Sequence, residues 1–197
     1  MWPWEHVLFA YVFYSIFVHA RYRTPPEDWP VVCLVAGSLL PDLVDKPLAW
    51  QFGVIDSGYA IAHSVFVAVP VSVAVYAVAR RRGVGQTGVA FAFGYLLHLV
   101  GDVLPASLSR GEFYPEPMLW PVRPYQPSHD HGSFADGVYS LLSQYLLQLF
   151  SLELTPVVAL QLGSVVFGVT LWMYDGRPGL GAVVTALHRV RSRFETK

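Results

Sequence analysis

Charged residues are scarce in this sequence. Only 14% of its 197 residues are Asp, Glu, Lys or Arg, whereas 54% are hydrophobic, and the mean hydropathy is +0.42. A soluble domain normally contains about 25% charged residues. We therefore expect lipid, rather than water, to surround most of the chain.

Cysteine and excess positive charge are also nearly absent. Cys33 is the only cysteine, which excludes an intramolecular disulfide and a Cys-rich zinc site. The chain has 13 Lys and Arg residues and 14 Asp and Glu residues, so the formal net charge is −1. No excess of basic residues is present to neutralise phosphates, and we do not expect nucleic-acid binding as the main activity.

Apolar runs recur along the chain and predict membrane-crossing helices. Five runs are assigned as spans: residues 7–18, 31–40, 61–79, 89–104 and 157–172. A further segment, 134–150, has a polar residue at every fourth position of one helical face: Asp136, Ser140, Gln144 and Gln148. This stripe favours an in-plane helix, or one lining a polar cavity, over a lipid-exposed span.

The predicted fold is an all-α, multi-pass transmembrane helical bundle of about five spans plus an amphipathic or re-entrant helix. A count of six spans fits the pattern nearly as well. We expect a single integral membrane domain over residues 1–197, with a Pro-rich loop at 105–133. Its predicted parts include C-terminal helices at 134–174 and a basic tail at 187–197.

Basic residues indicate the orientation in the membrane. Arg21 and Arg23 follow the first run, and Arg80 to Arg82 follow the third. The positive-inside rule places both segments in the cytoplasm if the second run crosses back. His and Asp residues at the opposite ends of the runs then all lie on the extracytoplasmic side: His6, Asp42, Asp45, His63, His98 and Asp102.

The most informative pair lies in the run at 89–104. His98 and Asp102 are four residues apart, so a helix places them on one face, one turn from each other. A central Asp costs about 2.5–3.5 kcal/mol in a membrane helix, so the pair requires a partner, a metal or water. Gly94 and Gly101 share that face, where a missing side chain lets another helix or a ligand approach.

These six residues supply three imidazoles and three carboxylates, which are the donor types that metal-dependent hydrolases use. Such a site lowers the pKa of bound water from about 15.7 towards about 7. His and Asp donors favour zinc, with manganese or iron as alternatives, over calcium. The set suffices for one or two ions, with Asp42 or Asp102 as a bridge, and two-metal sites suit phosphoester chemistry.

Each residue also has a purely structural explanation. Asp42 can turn the chain, His63 can donate to a neighbouring helix, and His98 with Asp102 can form a pair that only fixes helix packing. These explanations would all have to hold together on one side of the membrane. A shared site accounts for the same positions with one assumption.

The order of these elements resembles the YdjM-like family of membrane-bound, metal-dependent hydrolases. Its members have an N-terminal His, then Leu-Pro-Asp-x-x-Asp, Thr-His-Ser, His-x-x-x-Asp and Trp-Pro elements. The matching residues lie within roughly 1–125: His6, Leu40 to Asp45, His63 and Ser64, His98 to Asp102, and Trp120 with Pro121. The family is distantly similar to the zinc phospholipase C and P1 nuclease group, which implies a phosphoester substrate.

The chain departs from the family pattern at two places. Of the His-Arg-Gly-x-Thr-His-Ser run it keeps only His63 and Ser64, and Pro105 replaces a Thr that often follows the helix Asp. The ligands persist while neighbouring polar groups are lost. A non-catalytic membrane scaffold, or an ion- or proton-handling protein with a degenerate metal site, is therefore the alternative to a hydrolase.

The leading prediction is a hydrolase in the cell membrane whose extracytoplasmic site uses a metal-activated water. It would cleave a phosphoester-type bond in a lipid or envelope component. Asp45 is expected to act as general base as well as ligand. Arg110 and Arg123 would hold an anionic group, and Trp120 would anchor the loop at the lipid headgroups. Further polar groups are expected around the ligands: Ser64, His129, His131 and Asp136.

Overall fold

Helices make up the described structure of this chain. The computed structural model describes residues 1–125, 133–151 and 153–195, and in these ranges it contains no strand. This confirms the all-α prediction. The helices are α1 (Pro3–Tyr22), α2 (Asp28–Trp50), α3 (Val65–Arg81), α4 (Gly85–Arg110), a 3-10 helix (Glu116–Met118), α5 (Phe134–Phe150), α6 (Pro156–Tyr174) and α7 (Leu180–Glu195).

Proline does not end the helices where the sequence suggested. Helix α2 continues through Pro41 and Pro47, and α4 continues through Pro105. The predicted run 31–40 is therefore too short, and the predicted loop at 105–133 starts too early. A proline removes one backbone hydrogen bond, to the residue four positions earlier. Packing of the surrounding turns against neighbouring helices compensates for that loss.

Two described helices, α4 and α6, are long and apolar enough to cross a membrane by length and composition. The prediction of about five spans is not reproduced by this criterion. Helix α3 has only 17 residues, and α1 and α2 carry ionisable residues within their turns, among them Glu5 and Lys46. The polar residues of the site thus lower the mean hydropathy of the helices that carry them.

The core of the bundle lies between α1, α2 and α4. Tyr11, Tyr14, Leu34 and Ala90 are buried together there. A second cluster, containing Tyr95 and packed against α3, continues along α4. Helix α4 is therefore the central element against which the other helices position their side chains.

Glycine permits α2 and α4 to approach closely. A Cβ added to Gly94 would collide with the carbonyl oxygen of Leu34, and one added to Gly37 would collide with that of Phe91. The prediction that another helix approaches the glycine face of α4 is confirmed. This contact sets the distance between the site residues of the two helices.

Polar contacts attach α6 and α7 to the rest of the bundle. Asp175, at the end of α6, accepts hydrogen bonds from Tyr11 and Ser15, both at 2.6 Å, and lies 2.7 Å from His19 Nε2. Of the segment predicted as a basic tail, residues 187–195 lie in helix α7. The backbone N–H of Gly179, just before α7, donates to the carboxylate of Asp28.

Candidate metal centre

The six His and Asp residues singled out in the sequence converge at one end of the bundle. The most exposed of them, Asp42 and Asp102, are only 8% accessible. The arginines that end α1 and α3 lie at the other ends of those helices. The converging residues come from α1, α2, the segment before α3, and α4: His6, Asp42, Asp45, His63, His98 and Asp102.

Four side-chain atoms form a compact set: His63 Nε2, His98 Nε2, Asp42 Oδ1 and Asp102 Oδ2. The two imidazole nitrogens are 3.2 Å apart. His63 Nε2 lies 3.4 Å from the Asp42 oxygen and 3.5 Å from the Asp102 oxygen. His98 Nε2 lies 3.8 Å and 3.3 Å from the same two oxygens.

These separations are close to those between ligand atoms that share one metal ion. Bond lengths of about 2.0–2.1 Å to a central zinc place tetrahedral ligand atoms about 3.3–3.4 Å apart. The five measured distances fall close to that value. Each of the two carboxylate oxygens, together with the two imidazole nitrogens, therefore has the spacing of ligands to one small transition-metal ion.

Hydrogen bonds fix which imidazole nitrogen faces the centre. His98 Nδ1 donates to the Ser38 carbonyl oxygen at 2.6 Å, and His63 Nδ1 donates to Asp45 Oδ2 at 2.9 Å. Each Nε2 therefore carries a lone pair when its ring is neutral. Two such lone pairs at 3.2 Å repel each other unless a proton or a cation lies between them.

Asp45 occupies a position behind His63 rather than in the compact set. Besides the His63 ring, its carboxylate accepts backbone N–H bonds from Ala60, Ala62 and His63, each at 3.0 Å. It is fully buried. This arrangement is typical of a carboxylate that orients a ligand imidazole from behind.

His6 and Asp102 extend the centre on the side of α1. His6 Nε2 lies 3.2 Å from Asp102 Oδ1, an oxygen that is also 3.3 Å from the Met1 amino group. The His6 ring stacks on that of His98, with centroids 3.8 Å apart. A Cβ on Gly101 would lie 2.8 Å from His6 Nδ1, so this glycine provides the space for His6.

Buried polar atoms of the centre have unmet hydrogen-bonding capacity. Within the described residues, both nitrogens of His6, both oxygens of Asp42 and Asp102 Oδ2 are buried without a well-directed hydrogen bond, although several of them lie within ion-pair distance of a neighbouring side chain. Lys46 Nζ lies 2.7 Å from Asp42 Oδ1 and supplies one positive charge as an ion pair. Because unsatisfied buried carboxylates are costly, these donors fit a bound cation.

Two overlapping groups can hold a metal ion: His6, His98 and Asp102 in one, and Asp42, His63 and His98 in the other. His98 belongs to both groups, and its Nδ1 proton is committed to Ser38. A single Nε2 lone pair binds one ion. The two groups therefore cannot both be filled through His98 at the same time.

The protonation of His63 responds to its surroundings. It lies in the segment between α2 and α3. Burial by itself lowers its pKa, but contacts with the carboxylates of Asp42 and Asp45, and the charge of Asp102, outweigh burial and hold the His63 pKa above its ordinary value. Without a metal, a proton on this ring satisfies the neighbouring carboxylates.

A cavity of about 350 Å³ adjoins the centre. Asp42 lines it, together with Lys46 and Tyr59. Gln144 and Gln148 of α5 also line it, so two of the four residues of the predicted polar stripe face this cavity, whereas Asp136 and Ser140 do not line it. Sequence reasoning missed Lys46 and Tyr59. The spacing of Lys46, four residues after Asp42 on one helix, was the available signal.

The residues predicted to bind substrate lie elsewhere. The guanidinium of Arg110 stacks over the Tyr114 ring at 3.8 Å, and Arg123 pairs with Glu116 at 3.5 Å. The carbonyl oxygen of Trp120 accepts a hydrogen bond from Ser64 Oγ at 2.6 Å. Arg110, Arg123 and Trp120 are not among the residues that line the cavity.

The predicted surrounding polar groups have structural contacts of their own. Ser64 caps α3 by accepting from Phe66 N and attaches the Trp120 segment to that helix. Asp136 is exposed and forms a capping box with Ser133 at the start of α5. His129 and His131 lie outside the described residues.

Comparison with known proteins identifies the family. The family model described as "YdjM inner membrane protein" matches residues 1–185. The chain therefore belongs to this family, and its location is a membrane. The match extends about 60 residues beyond the motifs at 1–125 and includes α5 and α6. No curated protein and no solved structure matches the chain.

Proposed function

We propose that this member of the YdjM inner membrane protein family is a metal-dependent hydrolase that cleaves phosphoester-type bonds. The observation that carries the proposal is the convergence of side-chain donor atoms of His63, His98, Asp42 and Asp102 at the wall of a cavity. A purely structural His–Asp cluster has no need of an adjacent cavity. Transport of protons or ions requires polar groups spread through the bilayer, whereas these are gathered at one end of the bundle.

The proposed ligands are those four residues, and they hold one divalent ion per chain. Zinc suits two imidazoles and two carboxylates best, and manganese or iron accept the same donors. His6, with Asp102 Oδ1, forms a weaker second position because it lacks a third side chain independent of His98. Asp102, with one oxygen towards each position, is the residue that would bridge two ions.

A bound divalent ion lowers the pKa of a water molecule and polarises a phosphoryl oxygen. Side chains and backbone groups of the protein would orient the ligands and accept the proton. Asp45 and the Ser38 carbonyl hold the two imidazoles in the ligating tautomer. Asp42 is the carboxylate of the set that lines the cavity, so we assign proton acceptance to it and a positioning role to Asp45.

The proposed orientation follows from the basic helix ends. Arg21, near the end of α1, and Arg80 to Arg82, at the end of α3, lie opposite the centre along their helices. With these arginines in the cytoplasm, the centre and its cavity face the extracytoplasmic side. We also propose that α1, α2 and α3 cross the membrane with α4 and α6, their polar residues being shielded by the bundle.

Hydrolysis of model phosphoesters tests the proposal. Detergent-purified protein loaded with zinc or manganese should hydrolyse bis(p-nitrophenyl) phosphate or p-nitrophenyl phosphate, and His98→Ala/Asp102→Ala should not. The matched control is Asp56→Ala/His188→Ala, which removes an exposed Asp and an exposed His that lie outside the centre. Activity that survives loss of His98 and Asp102 would overturn the assignment.

A further inference from the structure

The cavity beside the metal centre has a cation on one wall and apolar side chains on another. We propose that it binds the phosphate end of an amphiphilic phosphoester, a lipid phosphate, with Lys46 as the residue that recognises the phosphate oxygens. The inference rests on the proposed hydrolase function and names its substrate class. In this proposal Lys46 binds the anionic group, a role for which the sequence suggested the exposed Arg110 and Arg123.

Lys46 is placed to bind an anion. Among the described residues that line the cavity, it is the only lysine or arginine, and its side chain is 16% accessible. Its ammonium group carries three donors. One charge contact goes to Asp42 Oδ1 at 2.7 Å, and the ammonium lies 5.8 Å from the Trp50 ring. Donors remain for a phosphate oxygen, and partial burial strengthens that charge-assisted bond.

The position of Asp42 makes anion binding dependent on the metal. Asp42 lines the same cavity, and its negative charge repels a phosphate as long as only Lys46 balances it. A divalent ion held by Asp42 reverses the local charge. Phosphate oxygens would then lie between two positive groups, the ion and the Lys46 ammonium.

The opposite wall favours a hydrocarbon segment next to the phosphate. Phe134, Val138 and Leu141 of α5 line the cavity, as does Leu43 of α2. Leu43 is 68% exposed and Phe134 is 39% exposed, so apolar surface continues from the cavity to its edge. A free phosphate makes no use of this surface. A volume of about 350 Å³ accommodates a headgroup and the first carbons of its chains, which would continue along α5 into the lipid.

Binding of short-chain phosphatidic acid tests the proposal. Zinc-loaded protein in detergent would be titrated with dihexanoyl phosphatidic acid, dihexanoylglycerol and inorganic phosphate, each followed by calorimetry at matched zinc content. Phosphatidic acid should bind at least about tenfold more tightly than either other probe. If inorganic phosphate bound as tightly as phosphatidic acid, the cavity would recognise free phosphate. If dihexanoylglycerol bound as tightly as phosphatidic acid, Lys46 would not contribute to binding through the phosphate charge. Either result would overturn the proposal.

Variants of the cation complete the test. Lys46→Met should weaken phosphatidic acid binding about tenfold or more while zinc content is unchanged, and Lys46→Arg should restore most of the affinity. Arg110→Met removes a cation that lies outside the cavity lining and should have no effect. Loss of binding in Arg110→Met but not in Lys46→Met would overturn the inference. Absence of zinc from the unmutated protein would instead overturn the proposed function, before any lipid is added.

Discussion

The Nε2 atoms of His63 and His98 lie 3.2 Å apart in a buried site, and the Nδ1 atom of each ring donates to an oxygen behind it. Two neutral imidazoles do not remain in this arrangement without a positive charge between them. The carboxylates of Asp42 and Asp102 complete the surroundings of that position. A bound cation accounts for all four orientations together.

Removal of a ligand should remove the metal. Asp42→Asn keeps the size of the side chain but loses the charge, and we expect zinc affinity to fall at least about 100-fold. Competition with a fluorescent zinc chelator measures the change. Asp136→Asn, at an exposed capping carboxylate, is the matched control and should bind zinc like the unmutated protein. Equal zinc affinity in Asp42→Asn and the unmutated protein would remove Asp42 from the ligand set.

Asp45→Asn distinguishes an orienting carboxylate from a ligand. Because Asp45 contacts the metal position only through His63, we expect zinc affinity to fall about 10- to 100-fold while stoichiometry stays the same at saturating zinc. The same chelator competition gives the result. Complete loss of zinc at saturation would instead return Asp45 to the ligands, as the sequence alone suggested.

Zinc affinity should depend on pH through His63. The ring must lose its Nε2 proton before it binds a metal, and its pKa is raised by Asp42 and Asp45 despite burial. Protons therefore compete below a pH that is higher than for an ordinary histidine, and the zinc dissociation constant should rise about tenfold per unit as pH falls below the His63 pKa. Titration calorimetry in two buffers measures the released proton. A dissociation constant that is constant between about pH 5 and 8 would contradict this.

Close packing of α2 against α4 should not tolerate a side chain at position 94. In Gly94→Ala the new Cβ collides with the backbone of Leu34, so the helices must separate at a cost of about 1–3 kcal/mol. We expect a lower Tm in detergent and weaker zinc binding. Gly163→Ala is the control, because a Cβ there meets no atom within 4 Å and alanine favours the helix. A Tm equal to that of the control would show that the helices are not in this contact.

The sequence predicted the helices and the members of the site for identifiable reasons. The His98–Asp102 spacing places both on one helical face whatever surrounds them, and ionisable residues in apolar runs are conspicuous. The role of Asp45 was not predictable, because it depends on how the segment before α3 folds its backbone N–H groups around a carboxylate. The sequence did not point to Lys46, because sequence gives charge but not the cavity that a charge faces.

Helix ends were the weakest part of the prediction. Pro41 and Pro105 were read as breaks, yet α2 and α4 continue through them, because tertiary packing outweighs the loss of single hydrogen bonds. Asp42 and Asp102 are therefore held on continuous helices rather than at helix ends. This makes the positions of the two carboxylates more rigid than the sequence implied.

Metal content tests the central claim most directly. Elemental analysis would be made on detergent-purified protein after reconstitution with zinc or manganese and removal of free metal, for the unmutated chain, His98→Ala/Asp102→Ala and the control Asp56→Ala/His188→Ala. The account predicts about one equivalent per chain in the unmutated protein and the control, and none in the first variant. No stoichiometric metal in the unmutated protein would contradict it and favour a scaffold or proton-handling role for the same residues.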